Sequence, residues 1–410
     1  MKASLYVKDK IHNDSKFLIS GSKSESNRLL ILQALFPEIT IENLSISDDT
    51  KALQQGLKIS KGTVDVSHAG TAMRFLTAYF ASQEGKEIVL TGSERMQQRP
   101  IKVLVNALRD LGADIEYVKE NGYPPLKISG KKLTKSSVEI EANVSSQYIS
   151  ALMLIAPSLP NGLKIILKEE IASQPYISMT MSLLKNIGIS CSFSENKIEI
   201  SPVSTIEKIK IEVESDWSSA SYFYSIIALS ENASVTLKNF RKENLQGDSL
   251  LSTIYENFGV KTTFDSTENT IKISKEKKEL PTHLVLHLAD TPDIAQTIAV
   301  TCFGLGLGCK LTGLKTLKIK ETDRLLALKT ELEKLGARVE VTDETLEAFP
   351  SERINKNISI DTYNDHRMAM AFAPLALKTD ITINDAKVVS KSFPDFWEVL
   401  KTIGIKIYFQ

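Results

Sequence analysis

Cysteine is scarce in this chain: Cys191, Cys302 and Cys309 are odd in number and show no CxxC spacing. That argues against a disulfide framework or a thiol-bound metal and suits the reducing cytoplasm. Net charge is missing too, with 50 Lys+Arg against 50 Asp+Glu, so no overall field favours nucleic acid or an anionic membrane. No apolar run approaches the ~20 residues of a membrane span. The charged start Met1-Lys2-Ala3-Ser4-Leu5-Tyr6-Val7-Lys8 lacks an apolar signal core. A GxxxxGKS/T phosphate loop is absent. Gly304-Leu305-Gly306-Leu307-Gly308 lacks GxGxxG spacing and runs into the strand-like Lys310-Leu311-Thr312, which speaks against a dinucleotide site. His283 and His287 have a zinc-chelating interval for a helix. Thr282-His283-Leu284-Val285-Leu286-His287-Leu288 alternates like a strand, however, which would hold the rings ~13 Å apart, so no metal site is expected.

A repeat is present. An amphipathic helix, a glycine, a β-branched or small residue and a short hairpin recur around Gly112, Gly188, Gly259, Gly336 and Gly404. A weaker copy lies at Leu53-Gln54-Gln55-Gly56-Leu57-Lys58-Ile59. Glycine at that place suits a left-handed helix C-cap. The period of about 70 residues is too long for a solenoid of small units and predicts several copies of one α/β unit packed into two globular halves. Alternating strand and helix signals place the fold class at α/β or α+β.

Polar clusters sit where strands give way to helices. Gly21-Ser22-Lys23-Ser24-Glu25-Ser26-Asn27-Arg28 opens an apolar helix with Ser22 or Ser24 as cap and two cations at an anion-attracting terminus. Ser67-His68-Ala69-Gly70-Thr71-Ala72-Met73-Arg74 is a second small-residue turn, whose Gly70 lets backbone amides approach a ligand. Arg95 and Arg99 are read as loop arginines offering bidentate forks. Ser145, Ser146 and Gln147 precede an apolar helix, and Ser173 precedes another, as phosphate donors or plain N-caps. Asp293 is a general base or a capping carboxylate. Lys320-Glu321-Thr322-Asp323-Arg324 opens a helix with Lys320 and Arg324 four apart on one face. Asn364-Asp365-His366-Arg367 and Lys391 complete the series. Singly, each is an ordinary capped or solvated helix start. Together, in a chain of zero net charge, they imply a cation-lined cleft for multiply charged anions.

These stretches, in order from residue 21 to residue 395, resemble the signatures of the 5-enolpyruvylshikimate-3-phosphate synthase family of enolpyruvyl transferases. The resemblance implies two domains of three βαβαββ units each, 1–20 plus 215–410 and 21–214, with the active site in the interdomain cleft. It implies transfer of the enolpyruvyl group of phosphoenolpyruvate to the 5-hydroxyl of shikimate 3-phosphate through a tetrahedral intermediate, in the shikimate pathway, by a cytoplasmic monomer without metal or cofactor. Lys23, Ser24, Arg28, Ser145, Ser146, Gln147, Ser173, Asp293 and Lys320 would hold shikimate 3-phosphate. Lys23, Gly70, Arg95, Gln147, Arg324, Arg367 and Lys391 would hold phosphoenolpyruvate. Asp293 would be the base and Glu321 the acid, with His366 a second proton-transfer candidate. His68, Phe75, Gln174 and Thr316 depart from the family's usual Asn, Pro, Lys and Asn. The rival within the same fold acts on UDP-N-acetylglucosamine and usually has a reactive cysteine on a mobile loop, where this sequence has arginines after Gly92.

Overall fold

The glycine-capped repeat is the unit of construction. In the computed structural model, which describes residues 1–8, 11–171 and 173–410, Gly112, Gly188, Gly259, Gly336 and Gly404 all have φ between 67° and 111°. A Cβ at Gly188 would meet nothing within 4 Å. Backbone conformation, not space, therefore selects glycine there. The residue after the glycine donates back to the helix, as in Ile189 N–H to Leu184 O at 3.0 Å and Ala337 N–H to Leu332 O at 3.0 Å, closing the terminus as a C-cap does.

Two strands follow the caps at Gly112, Gly188, Gly259 and Gly336. Cys191–Ser194 pairs antiparallel with Lys197–Ile200, which pairs with Leu163–Lys168, which in turn lies parallel to Ser137–Glu141. Glu195 and Asn196 turn that hairpin with φ of 46° and 59°. Ile198 and Ile200 point inward while Glu199 faces out, the alternation of a half-buried strand. Among the described residues, five four-stranded sheets share this plan of one parallel pair and two antiparallel pairings. One of them contains His283–His287, which is a strand, as its alternation predicts.

Two expectations fail here. Gly56 lies inside the helix Asp48–Leu57 and caps nothing. The chain passes from that helix directly into the strand Lys61–Asp65 of the next sheet, so this copy has no hairpin, and its strands form only the parallel pair Ile39–Glu42 with Ile209–Glu212. The last copy has no local hairpin either. After Gly404, the strand Lys406–Phe409 pairs with Ala3–Tyr6 from the other end of the chain.

The chain divides into two units, Met1–Ser20 with Glu214–Gln410, and Gly21–Val213. Glu214 belongs to the former, where its Oε1 accepts from Trp217 Nε1 (2.9 Å) and the Arg241 amide (2.8 Å). Each unit has helices without a polar face. Trp217–Leu229 is buried throughout except at Ser218, and Gly70–Ser82 is buried over its first twelve residues. A helix apolar or small on every side is stable only where neighbours cover it all round. Such helices therefore form the centre of each unit, and their N-termini carry the polar clusters.

Candidate active site

In the unit Gly21–Val213, Gly21 is fixed by crowding: a Cβ there would stand 1.8 Å from Asn43 O. Ser22 then caps the helix Lys23–Leu35, its Oγ accepting from Glu25 N–H. Lys23 and Ser24 open the first turn, and Arg28 follows one turn on, 2% exposed. Arg28 donates from Nε to Thr180 Oγ1 (2.7 Å), from Nη1 to Ser24 O (2.8 Å), and from Nη2 to Ser150 Oγ (3.0 Å) and Tyr176 O (3.4 Å). Its carbon Cζ lies 5.5 Å from the Phe75 ring centre and 5.7 Å from that of Tyr176. Burial lowers its pKa to about 10, so it remains a cation at neutral pH. Three of its five N–H donors thus tie the helix Lys23–Leu35 to Ser146–Ile155 and Gln174–Asn186, and a fourth bonds back within its own helix.

Gly70 is the first residue of the helix Gly70–Ser82, whose cap position, Ala69, offers no side-chain bond to the free amides. Gln147 Nε2 reaches Thr71 Oγ1 at 3.5 Å, bringing the start of Ser146–Ile155 beside it. Ser145 caps that second helix, accepting from Gln147 N–H, and Ser146 is buried. Ser173 stands before Gln174–Asn186 with φ 59° and makes no cap bond. Arg95 is exposed on a single helical turn, Glu94–Gln97, rather than on an open loop.

The unit of Met1–Ser20 and Glu214–Gln410 is built differently, because its arginines face carboxylates. Asp293 follows a strand and lies in the short turn Pro292–Ile294; Thr291, not Asp293, occupies the cap position. Asp293 Oδ1 meets Arg324 Nη1 at 2.9 Å and Lys320 Nζ at 3.7 Å, and Oδ2 meets Arg367 Nη2 at 3.2 Å. Glu321 Oε2 accepts from Arg324 Nη2 at 2.8 Å, and Asp365 Oδ2 from Arg324 Nε at 2.6 Å. Burial alone would lower the Arg324 pKa, but Asp365, Glu321 and Asp293 together raise it above the usual range. Lys320 and Glu321 precede the helix, which starts at Arg324 with Asp323 as cap. The four-residue helical spacing of Lys320 and Arg324 therefore does not exist, and Asp293 brings the two together instead. Buried His366 has Nδ1 3.8 Å from Asp365 Oδ1, and Lys391 Nζ donates to Asn364 O at 2.6 Å.

Sequence reasoning gave no role to Asp365, which caps the helix His366–Phe372 by accepting from the Arg367 amide and also holds Arg324. Its position directly before an apolar helix was the available signal. Ser150, Thr180 and Asp248 had none. Asp248 accepts from Ser218 Oγ, which in turn receives Arg367 Nη2 at 3.4 Å. Burial first, and then Asp293, push the Asp248 pKa up to about 7. Among the described residues no group of His, Cys, Asp and Glu is arranged to hold a metal ion.

Comparison with known proteins agrees on one relationship. The family model described as EPSP synthase (3-phosphoshikimate 1-carboxyvinyltransferase) matches residues 56–400. A Bacteroides fragilis protein named 3-phosphoshikimate 1-carboxyvinyltransferase is 46% identical over 394 residues, covering 95% of both chains. A Colwellia psychrerythraea protein of the same name is 36% identical over 421 residues, covering 95% of this chain and 97% of its own. In fold, the chain matches the solved EPSP synthase from Acinetobacter baumannii with a TM-score of 0.78 at 21% identity over the full length of both. This chain belongs to the EPSP synthase (3-phosphoshikimate 1-carboxyvinyltransferase) family.

Proposed function

We propose that the protein transfers the enolpyruvyl group of phosphoenolpyruvate to the 5-hydroxyl of shikimate 3-phosphate and releases phosphate, the step of the shikimate pathway that leads toward chorismate and aromatic amino acids. The observation that carries this reading is Asp293, a carboxylate whose two oxygens face Lys320, Arg324 and Arg367, with Glu321 on the same arginine. Asp293 takes the proton of the attacking hydroxyl while its oxygen bonds to C2 of phosphoenolpyruvate, and Glu321 delivers a proton to the methylene C3. The tetrahedral intermediate then loses phosphate from C2 and a proton from C3, which restores the double bond. His366, buried beside Asp365, is the second candidate for these proton transfers.

Two phosphorylated substrates repel each other, and preorganised cations offset that repulsion. Lys23, Gly70, Arg95, Gln147, Arg324, Arg367 and Lys391 serve phosphoenolpyruvate in this reading. Lys23, Ser24, Arg28, Ser145, Ser146, Gln147, Ser173, Asp293 and Lys320 serve shikimate 3-phosphate. Arg28 has one N–H donor left for it, and Ser145 still has its hydroxyl proton to donate. The enzyme acts as a cytoplasmic monomer; free Cys191, Cys302 and Cys309 fit a reducing compartment, and no described helix is long and apolar enough to cross a membrane.

The test is phosphate release from phosphoenolpyruvate with each of two acceptors. Release with shikimate 3-phosphate and none with UDP-N-acetylglucosamine is expected. Activity with the nucleotide sugar alone would refute the assignment.

A further inference from the structure

Glu331 is a buried acid for which the proposed chemistry has no use. It lies on the helix Arg324–Lys334, about two turns beyond Arg324, and its side chain is 0% exposed. Burying a carboxylate is costly unless donors meet it. Three do: Lys334 Nζ at 2.8 Å and the Asp361 amide at 3.1 Å reach Oε2, and the Tyr363 hydroxyl reaches Oε1 at 2.5 Å. Asp361 is held further by Lys334 Nζ on Oδ2 and by Asn384 Nδ2 on Oδ1, both at 2.7 Å. Partial burial first, and then the bond to Glu331, raise the Tyr363 pKa to about 12, so the hydroxyl keeps the proton it donates at neutral pH.

Asp361 and Tyr363 belong to the segment that joins the strand Ile358–Ile360 to the helix His366–Phe372. Within it Tyr363 and Asn364 have φ of 52° and 58°. Positive φ is unfavourable for a residue with a side chain, more so for a bulky one than for asparagine, and it persists only where the surroundings impose it. The only other consecutive non-glycine pair of this kind among the described residues, Glu195 and Asn196, turns a hairpin and is imposed by paired strands. Here a helix follows instead. The Asp365 amide closes the turn on Thr362 O at 2.8 Å, but Tyr363 itself is 39% exposed and is anchored through its hydroxyl. What the segment delivers all lies around Asp293 and Arg324. Asn364 O receives Lys391 Nζ at 2.6 Å, and Asp365 holds Arg324. Arg367 reaches Asp293 O from Nη1 at 2.9 Å and Asp293 Oδ2 from Nη2 at 3.2 Å. A change at the left-handed pair therefore moves all three together.

We infer that Glu331 is a positioning residue for phosphoenolpyruvate: through the Tyr363 hydroxyl and the Asp361 amide it holds the left-handed pair Tyr363-Asn364, and with it the aim of Arg367 and the carbonyl that receives Lys391. This rests on the proposed function and deepens it. The test is steady-state phosphate release by the full chain, varying each substrate, for wild type, Tyr363→Phe, Glu331→Gln and Glu331→Ala, with thermal melts of each. Tyr363→Phe deletes one hydroxyl and keeps the ring. It is expected to raise KM for phosphoenolpyruvate about 10-fold, the effect of one charge-assisted hydrogen bond, and to leave KM for shikimate 3-phosphate within about 3-fold. Glu331→Ala should raise the same constant at least as far, and Glu331→Gln, which keeps an oxygen to receive the hydroxyl, should restore part of it. Tyr363→Phe should add little in the Glu331→Ala background. An active wild type with KM for phosphoenolpyruvate unchanged in Tyr363→Phe would overturn the inference alone. So would an equal rise for both substrates accompanied by a lowered melting temperature, the mark of a merely structural contact. If Glu331→Ala fails to fold, the Tyr363→Phe and Glu331→Gln constants decide by the same rule. A wild type that releases no phosphate would overturn the proposed function, and this inference with it.

Discussion

Removing Asp365 should damage stability more than any other single carboxylate around Arg324. Its side chain is fully buried against an arginine only 2% exposed. Three carboxylates, Asp293, Glu321 and Asp365, stand against three cations, Lys320, Arg324 and Arg367. Deleting one leaves a positive charge uncompensated where water cannot screen it, and breaking a buried pair this way costs about 3–5 kcal/mol. Asp365→Ala also removes the cap on His366–Phe372, worth about 1 kcal/mol. Asp365→Asn keeps the cap acceptor and the shape and loses the charge, so about 1.5–3 kcal/mol is expected. Both tryptophans, Trp217 and Trp397, lie in the unit that contains Asp365. Urea denaturation followed by tryptophan fluorescence therefore reads the affected unit directly. The order wild type, Asn, Ala in falling midpoint is expected. An Ala variant within about 0.5 kcal/mol of wild type, the range of an indifferent surface change, would refute the charge-compensation argument.

Asp248 is protonated in the folded protein up to about pH 7 but ionises near 4 when unfolded. The folded state therefore binds the extra proton between these values, and stability attributable to this group falls as pH rises from about 4 to 7 and stays low above. Asp248→Asn should raise the melting temperature at pH 8 and leave it unchanged at pH 4; the reverse pattern would contradict the burial argument. Glu321→Gln and Asp293→Asn should each reduce kcat about 100-fold or more, the contribution of a positioned acid or base, while phosphoenolpyruvate binding measured by calorimetry persists. Normal turnover in both would remove their assigned roles. Gly188→Ala, at φ 83° with open space around the added methyl, should cost about 1 kcal/mol from backbone strain alone, read from the shift in urea midpoint by circular dichroism.

What the sequence reveals depends on how far apart the interacting groups lie along it. The C-cap at Gly188 and the hairpin through Glu195 and Asn196 are local, and both are legible from residue type. Gly56 misleads because a glycine after a leucine-rich stretch looks the same whether a hairpin follows or the chain proceeds straight to the next sheet. The Lys320–Arg324 spacing misleads for a related reason. Asp323 is the better cap, so the helix begins one turn later and Asp293, about thirty residues upstream, joins the two cations. The bonds of Arg28 to Ser150 and Thr180 are contacts across whole repeats. No periodicity records them.

The strand Ala3–Tyr6 occupies an inner place in its sheet, between Ile381–Ile383 and Lys406–Phe409. During synthesis this strand must wait for both its neighbours, which lie far downstream of it in the chain. Residues 21–213 form a continuous stretch with their own sheets and have no such delay. The emerging chain should thus carry one finished half while the other still exposes apolar Ala3 and Leu5, two residues that end fully or almost fully covered. Loss of the final four-residue strand would leave that early segment with an open edge, a ready template for pairing with another chain.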